Sequence, residues 1–251
     1  MTDITHDPLY SLAHLTLINA TTPELIYIAD RAGYDAVSPR FIPMNVPGEF
    51  KQSPIDKQMI EATKIALKTT GIKVLDIELA RITEDCDPRN FDRALELGGE
   101  LGAKRMIMSA WTTDRTDRNF IVDCFSETCE IAFQYGLSVD LEFPSFSRLR
   151  TLDEALDIVR AAKQPNGGIL VDTLYLHLSR VELAELLHVP AEFINFLHIS
   201  DALPGIADTK QGMIQLARDA RLYPSEGGAC QHSVPRSCAR STAHGPQTLL
   251  T

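Results

Sequence analysis

Apolar runs of four to eight residues alternate with amphipathic stretches along most of the chain. The runs are Ser11 to Ile18, Ala36 to Phe41, Lys73 to Leu79, Arg105 to Ala110, Leu137 to Phe143, Gly168 to Thr173 and Ile194 to Ser200. Most are nearly continuous in Val, Ile, Leu, Phe and Met, as expected of strands covered on both faces in a parallel sheet. Helix starts fall between them. Thr22-Pro23, Ser53-Pro54 and Asp87-Pro88 each set a capping oxygen before a proline whose missing N–H costs nothing in the first turn. Thr151-x-x-Glu154 and Ser179-x-x-Glu182 have the form of capping boxes, and Asp117 precedes a helical apolar stripe that stops at Gly136.

Strand and helix in alternation predict a parallel α/β fold, either a closed barrel or an open doubly wound sheet. The polar residues separate the two. Glu78, Ser109, Glu142, Asp172 and His198 lie near the ends of successive strands, at intervals of 31, 33, 30 and 26 residues, one βα unit per step. One polar group per strand around a common mouth is the barrel arrangement, whereas an open sheet gathers its site at one switch point. Neither G-x-G-x-x-G after the first strand nor G-x-x-x-x-G-K-[ST] occurs, so the usual nucleotide cradles are missing. The expected fold is a (β/α)8-type TIM barrel, incomplete at its eighth βα unit, over residues 1–228, followed by an irregular tail over 229–251.

The tail is set apart by composition. All 34 acidic residues lie in the first 226, and the last 25 contain none. No apolar run or helical period from which to build an eighth strand and helix is present there. Over the whole chain, 24 basic residues leave a net charge of -10, which repels phosphate backbones and anionic lipid and argues against nucleic-acid or membrane partners. The start, Met1 to Asp7, has neither a basic nor an apolar targeting segment, and no run reaches the ~20 apolar residues of a spanning helix, so a cytoplasmic protein is expected. Five cysteines without a C-x-x-C pair predict free thiols. Cys230, His232, Cys238 and His244 are zinc-ligand types at a spacing that matches no familiar pattern.

Candidate chemistry concentrates on three strand ends. A carboxylate at Glu142, in an otherwise apolar run, needs an ion pair, a hydrogen-bond network or a metal, because burying it alone costs several kcal/mol. Asp172 and His198 pose the same question on the next two strands. Two carboxylates and an imidazole together form a ligand set for Mn, Co, Mg or Zn with open coordination positions. Further substrate-binding candidates are His14 and Arg40 at the first two strand ends, Glu78 and Arg81 at the third, His177 after the sixth, and Glu226 in a Ser-Glu-Gly-Gly turn. For Glu78 and Arg81 a purely structural pair is the competing explanation.

Leu137-Ser138-Val139-Asp140-Leu141-Glu142-Phe143, Val171-Asp172-Thr173-Leu174, His198-Ile199-Ser200-Asp201-Ala202 and Tyr223-Pro224-Ser225-Glu226-Gly227-Gly228 occur in this order. The opening, Ser11-Leu12-Ala13-His14-Leu15-Thr16-Leu17 with a helix ending Ala32-Gly33-Tyr34-Asp35-Ala36-Val37, fits with them. Together they resemble the sugar phosphate isomerase/epimerase family of xylose-isomerase-like barrels, over residues 9 to 228. The resemblance implies a divalent metal held by Glu142, Asp172 and His198, with a fourth ligand, a glutamate, on the eighth strand. It also implies Glu142 as the base that moves a proton between adjacent carbons of a small sugar, sugar phosphate or related polyhydroxy carbonyl compound through an enediolate. The chain departs from the pattern twice. Tyr175 stands where the family often has a histidine three residues after the aspartate, and no glutamate follows Glu226. Two alternatives stay open: a lyase that dehydrates a keto-polyol or dehydroshikimate-like acid, and an inactive barrel that lost its fourth ligand. An unpaired edge left by a missing eighth strand would suit a homodimer.

Overall fold

A computed structural model describes residues 8–228, apart from Arg115, Ile206 and Asp208. Met1 to Asp7, the tail expected to be irregular, and Cys230, His232, Cys238 and His244 lie outside the described residues. In chain order the structure runs β1 (Ser11–Ala13), α1 (Thr22–Ala32), β2 (Ala36–Ser38), α2 (Lys57–Thr70), β3 (Lys73–Val74), β4 (Asp76–Ile82) and α3 (Asp92–Glu100). It continues through β5 (Arg105–Ala110), α4 (Arg118–Gln134), β6 (Ser138–Glu142), α5 (Leu152–Ala162), β7 (Gly167–Asp172), α6 (Thr173–Ser179), α7 (Leu183–Leu186), β8 (Ile194–His198) and α8 (Lys210–Asp219). Every strand pairing is parallel, in the orders β1-β2-β3 and β4-β5-β6-β7-β8. An Arg40–Glu78 bridge carries β2 onto β4, and β3 and β4 follow each other across Leu75 in one barrel position. The architecture is that of an α/β barrel, atypical at its C-terminal end. Among the described residues seven barrel positions are filled, and after α8 only Leu222 pairs, antiparallel, with Asp201.

Several local expectations need correction. Strand β1 stops after Ala13, and His14–Leu17 form a 3-10 turn, because the His14 ring reaches back to the carbonyl of Ala20. Strand β2 stops at Ser38, where Pro39 has no N–H to continue a ladder. Thr21 rather than Thr22 caps α1, in a reciprocal box with Glu24. Asp56 rather than Ser53 caps α2. The Ser179–Glu182 box is absent: Ser179 ends α6, and the amide of Glu182 donates to Glu185 at the start of α7. Asp117 and Thr151 cap α4 and α5 as the sequence predicts.

The strands hide a period of two inside their apolar runs. Val139, Leu141, Ile169 and Val171 belong to the main core beneath the helices. The alternate positions face the barrel interior, where Leu79, Ile107 and Leu170 form a small apolar layer with Phe196 against it. One alternation further, at the C-terminal ends of the same strands, come Ser109, Asp172 and His198, and Glu142 ends β6 in the same phase. An outward apolar position and an inward polar one thus follow each other at each strand end.

Candidate metal centre and cavity

Glu142, Asp172 and His198 end β6, β7 and β8, and the ladder sets Asp172 directly beside His198. One donor atom from each lies within 4.8 Å of the other two, and all three residues are buried. His198 Nδ1 is 3.6 Å from Glu142 Oε1 and 3.8 Å from Asp172 Oδ2. Asp172 divides its oxygens. Oδ1 caps α6, accepting from the amides of Leu174 at 2.8 Å and Tyr175 at 3.3 Å, which fixes the carboxylate plane. Oδ2 accepts from Arg221 at 2.9 Å, and the same Arg221 nitrogen donates to Ser200 Oγ at 2.8 Å.

Burial raises the pKa of Glu142, partly offset by the His198 hydrogen bond. For His198 burial works against the charged form, but the carboxylates of Glu142 and Asp172 outweigh it and the pKa rises. The triad has two negative groups for one imidazole, with Arg221 leaning on Asp172 from outside.

This donor set fits a divalent cation. Two bonds of about 2.0 to 2.6 Å across a shared ion place donor atoms no more than about 5 Å apart, which the triad satisfies. Two carboxylates balance a double charge, while the hydrogen-bonded Asp172 arrives already oriented. His198 Nε2 is buried without a hydrogen-bond partner, so Nδ1, which faces both carboxylates, is the nitrogen turned to the site.

Glu142 and His198 of the triad line a cavity of about 280 Å³. Its wall combines apolar side chains, including Leu15, Met44, Trp111 and Phe146, with Arg40, Glu78, Arg218 and Arg221. Arg40 and Glu78, both substrate-binding candidates from sequence, line it as a buried ion pair at 2.7 Å, and Glu49 lies 3.5 Å from Arg40 on the other side. Arg81 adjoins the wall: it donates to the carbonyl of Met44 at 3.4 Å and lies 6.0 Å from the Trp111 ring.

Three other candidates are not brought to the cavity. Buried His14 spends both ring nitrogens on backbone, Nδ1 accepting from the Arg40 amide at 2.9 Å and Nε2 bonding the Ala20 carbonyl at 2.8 Å. Its pKa is lowered, chiefly by burial. His177 sits on the far part of α6, away from the lining. Glu226 is exposed and accepts from the Tyr223 amide at 3.1 Å, closing its own turn. Sequence reasoning missed Trp111, Phe146, Arg218 and Arg221. The aromatic pair, 5.6 Å apart, comes from loops after two strands, and only the pattern of a barrel mouth could have pointed there.

Comparison with known proteins is decisive at this point, since residues 26–233 match the family described as xylose isomerase-like TIM barrel. The chain belongs to that family. It is 27% identical over 249 residues to a 3-dehydroshikimate dehydratase of Pseudomonas aeruginosa, covering 95% of this chain and 37% of the relative, so it spans little more than a third of that protein. It is 23% identical over 226 residues to an inosose isomerase of Bacillus velezensis, covering 84% of this chain and 76% of the relative. Among solved structures, that of the IOLI protein with a zinc atom superposes with a TM-score of 0.70 at 20% identity, over 88% of this chain and 84% of the other. That likeness is one of fold. The fold is that of the xylose isomerase-like barrels, and the buried Glu142, Asp172 and His198 could coordinate a divalent metal.

Proposed function

We propose that this xylose-isomerase-like barrel is a metal-dependent isomerase or epimerase that moves a proton beside the carbonyl of a small polyhydroxylated compound, through an enediolate. One observation carries the reading: two carboxylates and an imidazole, buried and with donor atoms within 4.8 Å of one another, two of them, Glu142 and His198, lining a cavity. A divalent cation held by Glu142, Asp172 and His198 would supply positive charge for the oxygen that becomes anionic as the C–H proton leaves. Glu142 takes that proton. Its position beside His198 keeps it oriented for that transfer. Arg221 holds Asp172 in place through its hydrogen bond to Oδ2. The inosose isomerase relative supports this reading.

A second reading is a lyase, in which the same enolate expels a neighbouring hydroxyl. The similarity over 95% of this chain to a 3-dehydroshikimate dehydratase favours it. The two share their first step, so one experiment tests both. With Mn²⁺ or Co²⁺ present, the wild type incubated in D2O with scyllo-inosose and with 3-dehydroshikimate is expected to exchange the proton beside the carbonyl of at least one, and Glu142→Gln to lose that exchange by a factor of about 10² or more. Equal exchange in the variant would remove Glu142 as the base.

A further inference from the structure

A fourth side chain, Arg221, is bonded to the triad, and it reaches there from the segment that follows α8. Its backbone is held because the next residue, Leu222, exchanges both backbone hydrogen bonds with Asp201 at 2.8 Å. Nε donates to the carbonyl of Ala217 at 2.8 Å, the guanidinium carbon lies 5.1 Å from the centre of the Tyr175 ring, and the side chain is only 10% exposed. Contacts outside the triad therefore fix the guanidinium as firmly as Asp172 does.

Nη1 of Arg221 meets Asp172 at Oδ2, and that is the oxygen turned to the site, 3.8 Å from His198 Nδ1. Oδ1 is spent on the amides of Leu174 and Tyr175, which orient the carboxylate with or without the arginine. What Arg221 adds is mainly charge. Among the described residues no other arginine or lysine forms an ion pair with the triad. In the metal-free protein it offsets one of two buried carboxylates that would otherwise repel each other. A divalent cation on Oδ2 has to share that oxygen with the guanidinium, and the two positive charges repel.

We propose that Arg221 is a built-in counter-ion, a positioning residue acting through Asp172, that stabilises the triad while no metal is bound and lowers the affinity of the site for the metal. The proposal rests on the metal reading of Glu142, Asp172 and His198 and holds for either reaction. Its two effects differ in sign, whereas loss of a merely structural arginine would weaken the fold and the site together.

Calorimetric titration of metal-stripped wild type, Arg221→Gln and Arg221→Lys with Co²⁺, beside urea unfolding of the metal-free forms, tests it. Arg221→Gln is expected to bind Co²⁺ about tenfold more tightly than the wild type and to unfold at lower urea, while Arg221→Lys, which keeps the charge, stays within about threefold of wild-type affinity. If Arg221→Gln does not hold its fold without metal, it is refolded with Co²⁺ and the ion withdrawn by a competing chelator, of which it should need about tenfold more than the wild type. Equal or weaker Co²⁺ binding by Arg221→Gln, no loss of its metal-free stability, or an Arg221→Lys variant as tight as Arg221→Gln would overturn the proposal and leave the metal reading standing. A wild type that binds no Co²⁺ would overturn the metal reading and the proposal with it.

Discussion

Two buried charge clusters face each other in the barrel mouth, one built on the first strands and one on the last. In the first, Arg40 lies between Glu78 at 2.7 Å and Glu49 at 3.5 Å, Glu49 accepts from the amides of Met44 and Val46, and His14 is bonded at both nitrogens. In the last, His198 lies 3.6 and 3.8 Å from two carboxylates, and only one of the two has an arginine. Both clusters are buried, and composition alone cannot tell them apart. What differs is convergence: the first cluster pairs its charges with one another and with backbone amides, leaving Arg40 Nε and Glu78 Oε1 buried without a partner, while the last keeps donor atoms turned toward one shared point. The first, more nearly closed cluster braces the loop from Met44 to Glu49, and the last leaves room for a cation.

The comparison can be broken by removing one charge from the closed side. Glu78→Gln leaves Arg40 with only the longer contact to Glu49, and loss of one partner of a buried pair should destabilise the fold by about 3 kcal/mol in denaturant unfolding. Metal affinity should change little. A variant as stable as wild type that no longer takes up metal would move Glu78 from brace to ligand.

A pH-dependent effect concerns the layer beneath both clusters, where Asp76 accepts from Ser38 and Asp140 accepts from Asn195. Burial raises Asp76 to about 7, with Glu78 adding to it, and raises Asp140 to about 6. An aspartate raised in the folded state holds a proton that the unfolded chain has released above pH ~4, so its contribution to stability falls as pH rises from about 4 to about 7 and is flat above that. Relative to Asp76→Asn, the wild type should therefore lose about 4 kcal/mol between pH 4 and pH 8. Parallel stability curves for the two proteins would contradict this.

The sequence made the barrel legible because each βα unit repeats one pattern, and a proline or a capping residue marks most helix starts. It made Glu142, Asp172 and His198 legible because polar residues at strand ends stand out from apolar runs. Boundaries failed where a side chain far along the chain decided them, as when His14 closes a turn onto Ala20 and Arg40, or where Asp56 offered a better cap than Ser53. Pairing was the least legible. Nothing in the order of residues distinguishes Arg40, neutralised by Glu78, from Arg218, which forms no ion pair among the described residues, since both depend on what the fold sets opposite them. A place near a strand end or in a glycine turn was for that reason not enough for His14, His177 and Glu226, which the fold leaves out of the cavity lining.

The central claim is that Glu142, Asp172 and His198 hold one divalent cation. Calorimetric titration of the metal-stripped protein with Co²⁺ tests it most directly, with Glu142→Gln, Asp172→Asn and Glu78→Gln run beside the wild type. The wild type and Glu78→Gln are expected to bind one equivalent with similar affinity, and the Glu142 and Asp172 variants to bind at least about 100-fold more weakly, since each loses an anionic ligand from a three-residue site. Unchanged stoichiometry and affinity in those two variants would contradict the account.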